Sequence, residues 1–127
     1  CALLAAQEGL EGGSVVNLLD SRMHGYMRRH VTYSLSKQAL LSLTRMMALE
    51  YAPRVRVNAV APGYVLTPAG SDDGHLARLA ADVPLGRLGE PEEVAQAVVY
   101  LLSAQYVTGQ VIYVDGGRFL REGLAGR

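Results

Sequence analysis

"LSLTRMMALEYAPRVRVNAVAPG", residues 41–63, changes its period partway along. The helical pattern runs from Val31 to about Ala52, with Leu35, Ala39, Leu43 and Met46 or Met47 tracking one apolar face. Pro53 ends it, because proline lacks the N–H a helix needs and its ring clashes with the preceding turn. The next stretch, "RVRVNAVAPG" at 54–63, reads as a buried strand closing on Pro62-Gly63. A long helix feeding straight into a buried strand is the repeating step of an α/β sheet.

The flanks continue the alternation. Upstream, "SVVNLL" at 14–19 is β-branched and nearly all apolar, as suits a strand covered on both faces. Residues 1–9 read as a helix stub, stopped by Gly9 and the loop Glu11-Gly12-Gly13, and residues 21–30 as a polar loop around Gly25. Downstream, a Gly/Ser/Asp-rich segment at 67–74 precedes a short helix at 75–82. "GEPEEVAQAVVYLLS" then predicts a helix with Pro91 in its first turn and Glu92 and Glu93 at its positive end. "QVIYVDGG" supplies a last strand, 110–115. Strands alternating with helices across short loops predict a parallel sheet. Three strands are too few for an open parallel sheet wound on both faces, so the expectation is half of one, with ligands beyond the strand C-termini.

Composition excludes several function classes. Over 127 residues, 12 basic side chains balance 12 acidic ones, which leaves no excess positive charge for a nucleic acid. No apolar run approaches the roughly 20 residues a bilayer-spanning helix needs, and no signal peptide is visible. The single cysteine, Cys1, allows no internal disulfide and sits without an evident base; a cytoplasmic location is the expectation. His24, His30 and His75 lie in or beside polar loops at no metal-like spacing, so no metal is expected.

The chemistry-bearing residues are Asp20, Tyr33 and Lys37. Tyr33 and Lys37 stand four apart at the start of the long helix and so share a face one turn apart. A phenol titrates near 10 and is a poor acid at neutral pH; an ammonium beside it favours the phenolate and pulls that value down. Asp20 ends the preceding strand, "VVNLLDS" at 15–21.

With "NAVAPG" (58–63), "PLGRLGEPEEVAQAVVYLLS" (84–103) and "YVTGQVIYVDGG" (106–117) coming next in that order, the chain resembles the short-chain dehydrogenase/reductase family over essentially all its length. The resemblance implies the C-terminal half of a Rossmann-like doubly wound parallel sheet and an NAD(P)-dependent oxidoreductase. It implies Tyr33 as proton donor and Lys37 as the lysine that binds the nicotinamide ribose and lowers the tyrosine pKa. Pro62, Gly63, Tyr64, Val65 and Thr67 would pack on the nicotinamide, residues 67–86 would cover the substrate, and Leu66 would line its pocket. Asn17 and Asp115 take structural roles. No G-x-G-x-x-G is present to hold a pyrophosphate, so residues 1–127 are expected to be the C-terminal part of one dinucleotide-binding domain lacking its glycine-rich half. The family packs the helix equivalent to 31–52 into dimer and tetramer contacts, which implies a homotetramer.

Most members carry serine where this chain has Asp20. A hydroxyl donates to a carbonyl oxygen; an ionised carboxylate only accepts, and so suits a substrate N–H or a cationic C=N. Members with aspartate here resemble the pteridine reductases and the dihydromonapterin/dihydrofolate reductases, whose ending is similar to "DGGRFLR" at 115–121. That implies a pterin or folate substrate, NADPH as reductant, and Asp20 orienting substrate and Tyr33. Other readings stay open: Ser21 takes the usual serine's place in a carbonyl reductase, Asp20 is protonated by burial and donates, or the chain is a non-catalytic oligomerisation module. Tyr26 is a further candidate for the pocket wall.

Overall fold

The computed structural model describes residues 2–7, 12–25, 30–66 and 72–122. The element order is α1 (Ala2–Ala6), β1 (Gly13–Leu18), α2 (Val31–Glu50), β2 (Val55–Pro62), α3 (Asp73–Ala81), α4 (Pro91–Ser103), β3 (Val111–Val114) and α5 (Arg118–Glu122). The strands form one parallel sheet in the order β1-β2-β3, with Gly13 opposite Val55 and Ala59 opposite Val111. Among the described residues no helix is long and apolar enough to cross a membrane. The expected α/β half-sheet is what the chain forms; α5, a five-residue helix after the Gly-Gly turn, is an addition to the expected elements.

Alternation along β2 sorts the two faces of the sheet. Val55, Val57, Ala59 and Ala61 meet α2 through Leu41 and Ala48. The intervening residues face α4: Arg56 donates to the Leu101 and Leu102 carbonyls at 2.9 and 2.8 Å, satisfying acceptors that the end of α4 leaves open. Asn58, wholly buried, bridges the Val107 carbonyl (2.8 Å) and the Gln110 N–H (3.0 Å), which sets the approach to β3. Both faces of the central strand are therefore covered.

One expectation about α2 is corrected. Leu35, Ala39, Leu43 and Met46 point outward, Leu35 58% and Met46 66% exposed, while Met47, the alternative to Met46, packs against the core of Ala48, Val55 and Val57. The side against the sheet carries Ser34, Leu41, Thr44 and Ala48. Thr44 serves there because it is satisfied twice, donating to Leu40 O (2.7 Å) and accepting from Asn17 Nδ2 (2.9 Å). Asn17 thus has the structural role expected of it.

At α3, Asp72 caps the helix through the His75 N–H (2.6 Å). At α4, Glu90 and Glu93 form a reciprocal capping box with Pro91 in the first turn. Asp115 accepts from the Gly117 N–H (2.9 Å) and the Phe119 N–H (2.6 Å), so it caps the tail turn.

Candidate active site

All three strands point their C-terminal ends at one region. Pairing continues past β1, since the Leu19 N–H donates to Val60 O (2.8 Å) and the Ser21 N–H to Pro62 O (3.0 Å). That pins the residue between them, Asp20, beside the start of α2. The Gly63 N–H donates to Val114 O (3.0 Å), drawing the end of β2 against the Asp115 turn. The approach is so close that a Cβ on Gly63 would lie 2.8 Å from Asp115 Cα, which leaves room for no side chain.

Asp20, Tyr33 and Lys37 come together here. The Tyr33 hydroxyl donates to Asp20 Oδ2 at 2.8 Å. The Lys37 ammonium lies 5.7 Å from the Tyr33 ring centre and donates to Leu18 O at 2.8 Å. Tyr33 is 41% exposed, so its phenol is open to a ligand.

Arg22, read from sequence only as part of a polar loop, is the fourth member. Its backbone N–H and its Nε donate to Asp20 Oδ1 (2.8 and 3.1 Å), and its Nη2 donates to Oδ2 (3.0 Å). The backbone bond is an Asx turn, for which an aspartate two residues before a turn residue is the only local signal. Tyr64 lies under two guanidinium groups, Arg118 at 4.5 Å and Arg22 at 6.0 Å from its ring centre. Arg118 is also paired with Asp82 at 2.9 Å. Nothing in the tail sequence marks Arg118, because Tyr64 and Asp82 are far from it in the chain.

The electrostatics derive from these contacts. Burial by itself raises the Asp20 pKa, but the side-chain and backbone hydrogen bonds from Arg22, the bond from Tyr33 and the Arg22 charge bring it below its ordinary value. Asp20 is therefore ionised at neutral pH, and the reading of it as a protonated donor is set aside. Tyr33 departs from expectation: burial first, then its hydrogen bond to Asp20 and that carboxylate's charge, raise its pKa, while Arg22 opposes them. The lowering expected from Lys37 is not seen: burial, and after it the carboxylate in direct contact with the phenol, set the direction.

Ser21 is wholly enclosed and its hydroxyl has no hydrogen-bond partner among the described residues. Pro62 and Gly63 lie at the strand end. Tyr64 accepts from the Gly89 N–H at 2.9 Å, Val65 is half-buried and Leu66 is exposed. Thr67, Tyr26 and Cys1 lie outside the described residues. The donor set suits the ribose end of a nicotinamide nucleotide: the Lys37 ammonium carries three N–H donors and one is on Leu18 O. Two remain for ribose hydroxyls.

A family model described as enoyl-(acyl carrier protein) reductase matches residues 1–118. Carbonyl reductase family member 4 of Xenopus laevis is 44% identical over 110 residues, 84% of this chain and 45% of that protein. The 3-oxoacyl-[acyl-carrier-protein] reductase of Homo sapiens is 45% identical over 111 residues, again 84% of this chain and 45% of that protein. Among solved structures, the FolM alternative dihydrofolate reductase 1 from Brucella canis, complexed with NADP, superposes with a TM-score of 0.81 at 37% identity. That match covers 91% of this chain and 46% of the other. The chain thus spans about half the length of the proteins it matches. With strands, tyrosine–lysine helix and tail turn all in the family's order and the match running nearly end to end, the chain belongs to the short-chain dehydrogenase/reductase family.

Proposed function

We propose that this chain carries the catalytic half of an NADPH-dependent reductase acting on the C=N bond of a pterin or folate. A glycine-rich strand–turn–helix outside residues 1–127 would hold the pyrophosphate. The observation that carries the reading is the contact of the Tyr33 hydroxyl with an ionised Asp20 at 2.8 Å, where most of the family has a serine. The likeness to a FolM alternative dihydrofolate reductase supports it.

When bound, the nicotinamide supplies the hydride that goes to the substrate carbon. Tyr33 supplies the proton to the neighbouring nitrogen, so that C=N becomes CH–NH. The Lys37 donors left over from Leu18 O would hold the ribose hydroxyls of a bound nicotinamide nucleotide. Asp20 positions the phenol by accepting from its hydroxyl, a bond the hydroxyl exchanges for the substrate nitrogen as it gives up its proton. The outward stripe Leu35, Leu43 and Met46 on α2 supports self-association, and a homotetramer is the proposed assembly.

A second reading, reduction of a carbonyl such as a 3-oxoacyl group, is favoured by the identities of 44% and 45% to proteins so named. The test is loss of reduced-nicotinamide absorbance with dihydropterin and dihydrofolate against a panel of ketones and a 3-oxoacyl thioester. Pterin or folate turnover well above ketone turnover is expected. Ketone turnover without pterin turnover overturns the first reading in favour of the second, and cofactor oxidation with no substrate class overturns both.

A further inference from the structure

An ionised carboxylate offers about four lone-pair positions. In Asp20 all four are taken: Oδ1 accepts from the Arg22 N–H and Nε, and Oδ2 accepts from Arg22 Nη2 and the Tyr33 hydroxyl. The residue expected to receive a substrate N–H has no position left to receive one. The guanidinium, by contrast, has donors to spare. Of its five N–H bonds two are on Asp20, both from the Nε/Nη2 edge, and the side chain also bonds the Tyr33 hydroxyl, which leaves two for a ligand. Its side chain is 33% exposed and sits between Asp20 and the Tyr64 ring.

We propose that Arg22 is the substrate-facing donor of this site, and that Asp20 acts by holding its guanidinium in place. The donors that remain belong to a rigid planar fork with a permanent charge. The substrate class it selects is a fused heterocycle with a carbonyl oxygen beside the ring nitrogen that is reduced. A simple ketone has no second acceptor beside its reacting atom and gains less. Arg22 binds the carbonyl oxygen while Tyr33 meets the reacting nitrogen, so the donor the family usually takes from serine comes here from a cation two residues beyond Asp20. The inference rests on the proposed function only in taking the cleft over Tyr33 as the place where substrate binds.

The test compares wild-type protein with Arg22→Lys, which keeps a charge beside Asp20 but loses the fork. Two substrates are used, a dihydropterin and a ketone without a second acceptor. For the dihydropterin, KM is expected to rise about 10- to 100-fold with kcat nearly unchanged, the range set by charge-assisted hydrogen bonds. The ketone kcat/KM should fall by a clearly smaller factor, the part due to the weaker hold on Asp20. Equal losses on both substrates indicate a purely structural arginine and overturn the proposal, as does no loss on either. Calorimetric titration with oxidised biopterin, in the presence of NADP, reads the same contact without turnover. Weaker binding to Arg22→Lys supports the proposal even where wild type reduces neither substrate, the result that would sink the proposed function alone. Equal affinity, or no binding to wild type, overturns it.

Discussion

Gly63→Ala tests the packing that carries the site. The new Cβ would stand 2.8 Å from both Asp115 Cα and Asp115 Cβ, against ordinary contact at 3.4–4 Å, so the two segments must part by about 0.6 Å or more. Neither can yield freely. Gly63 is tied to Val114 O at 3.0 Å, and the Asp115 carboxylate holds the Gly117 and Phe119 N–H groups. Overpacking of this kind costs about 1–3 kcal/mol, and rigid backbone on both sides puts it in the upper half of that range. Replacing glycine also stiffens the unfolded chain, which returns about 0.4–1 kcal/mol. A net loss of about 1–2.6 kcal/mol remains. With a urea slope of about 1–3 kcal/mol/M, the midpoint should fall by about 0.3–2.6 M at unchanged slope. The same shift moves Tyr64 from beneath Arg118, so the KM for reduced cofactor should rise as well. A midpoint equal to or above wild type would refute the close approach as a constraint on this loop.

Tyr33→Phe removes the proposed proton donor while keeping the ring; kcat should fall about 10²- to 10⁴-fold with cofactor affinity nearly unchanged, measured by steady-state kinetics and fluorescence titration. Asp20→Asn addresses acid stability. The folded Asp20 pKa lies below its unfolded value, so its contribution is present above about pH 4 and disappears as pH falls through the folded pKa. Urea midpoints measured from neutral to strongly acid pH should fall less steeply for Asp20→Asn, and parallel curves would contradict the assignment. Asn58→Ala strips a partner from the Gln110 N–H and one of those of Val107 O, and should destabilise by about 2–4 kcal/mol in the same assay.

Local pattern alone determined the alternation of strands and helices, the parallel sheet and the meeting of Tyr33 with Lys37. A period, a proline and an i,i+4 spacing are properties of neighbouring residues, and they act before any tertiary contact forms. Asp20 was legible too, because a strand's C-terminal end in such a sheet is where ligands bind. Which face of α2 meets the sheet was not legible. Leu35, Leu43 and Met46 form the more apolar stripe, yet Thr44 and Ala48 pack inward because Asn17 on another strand completes the hydrogen bonding of Thr44. The electrostatics of the site were likewise decided in three dimensions. Arg22 lies two residues from Asp20, but only the turn that folds its side chain back onto the carboxylate fills three of the four acceptor positions. Only the packing of α2 buries the Tyr33 phenol and sets it against that charge, which together raise its pKa. Sequence spacing says which groups can meet; distance and burial decide which of them controls the proton.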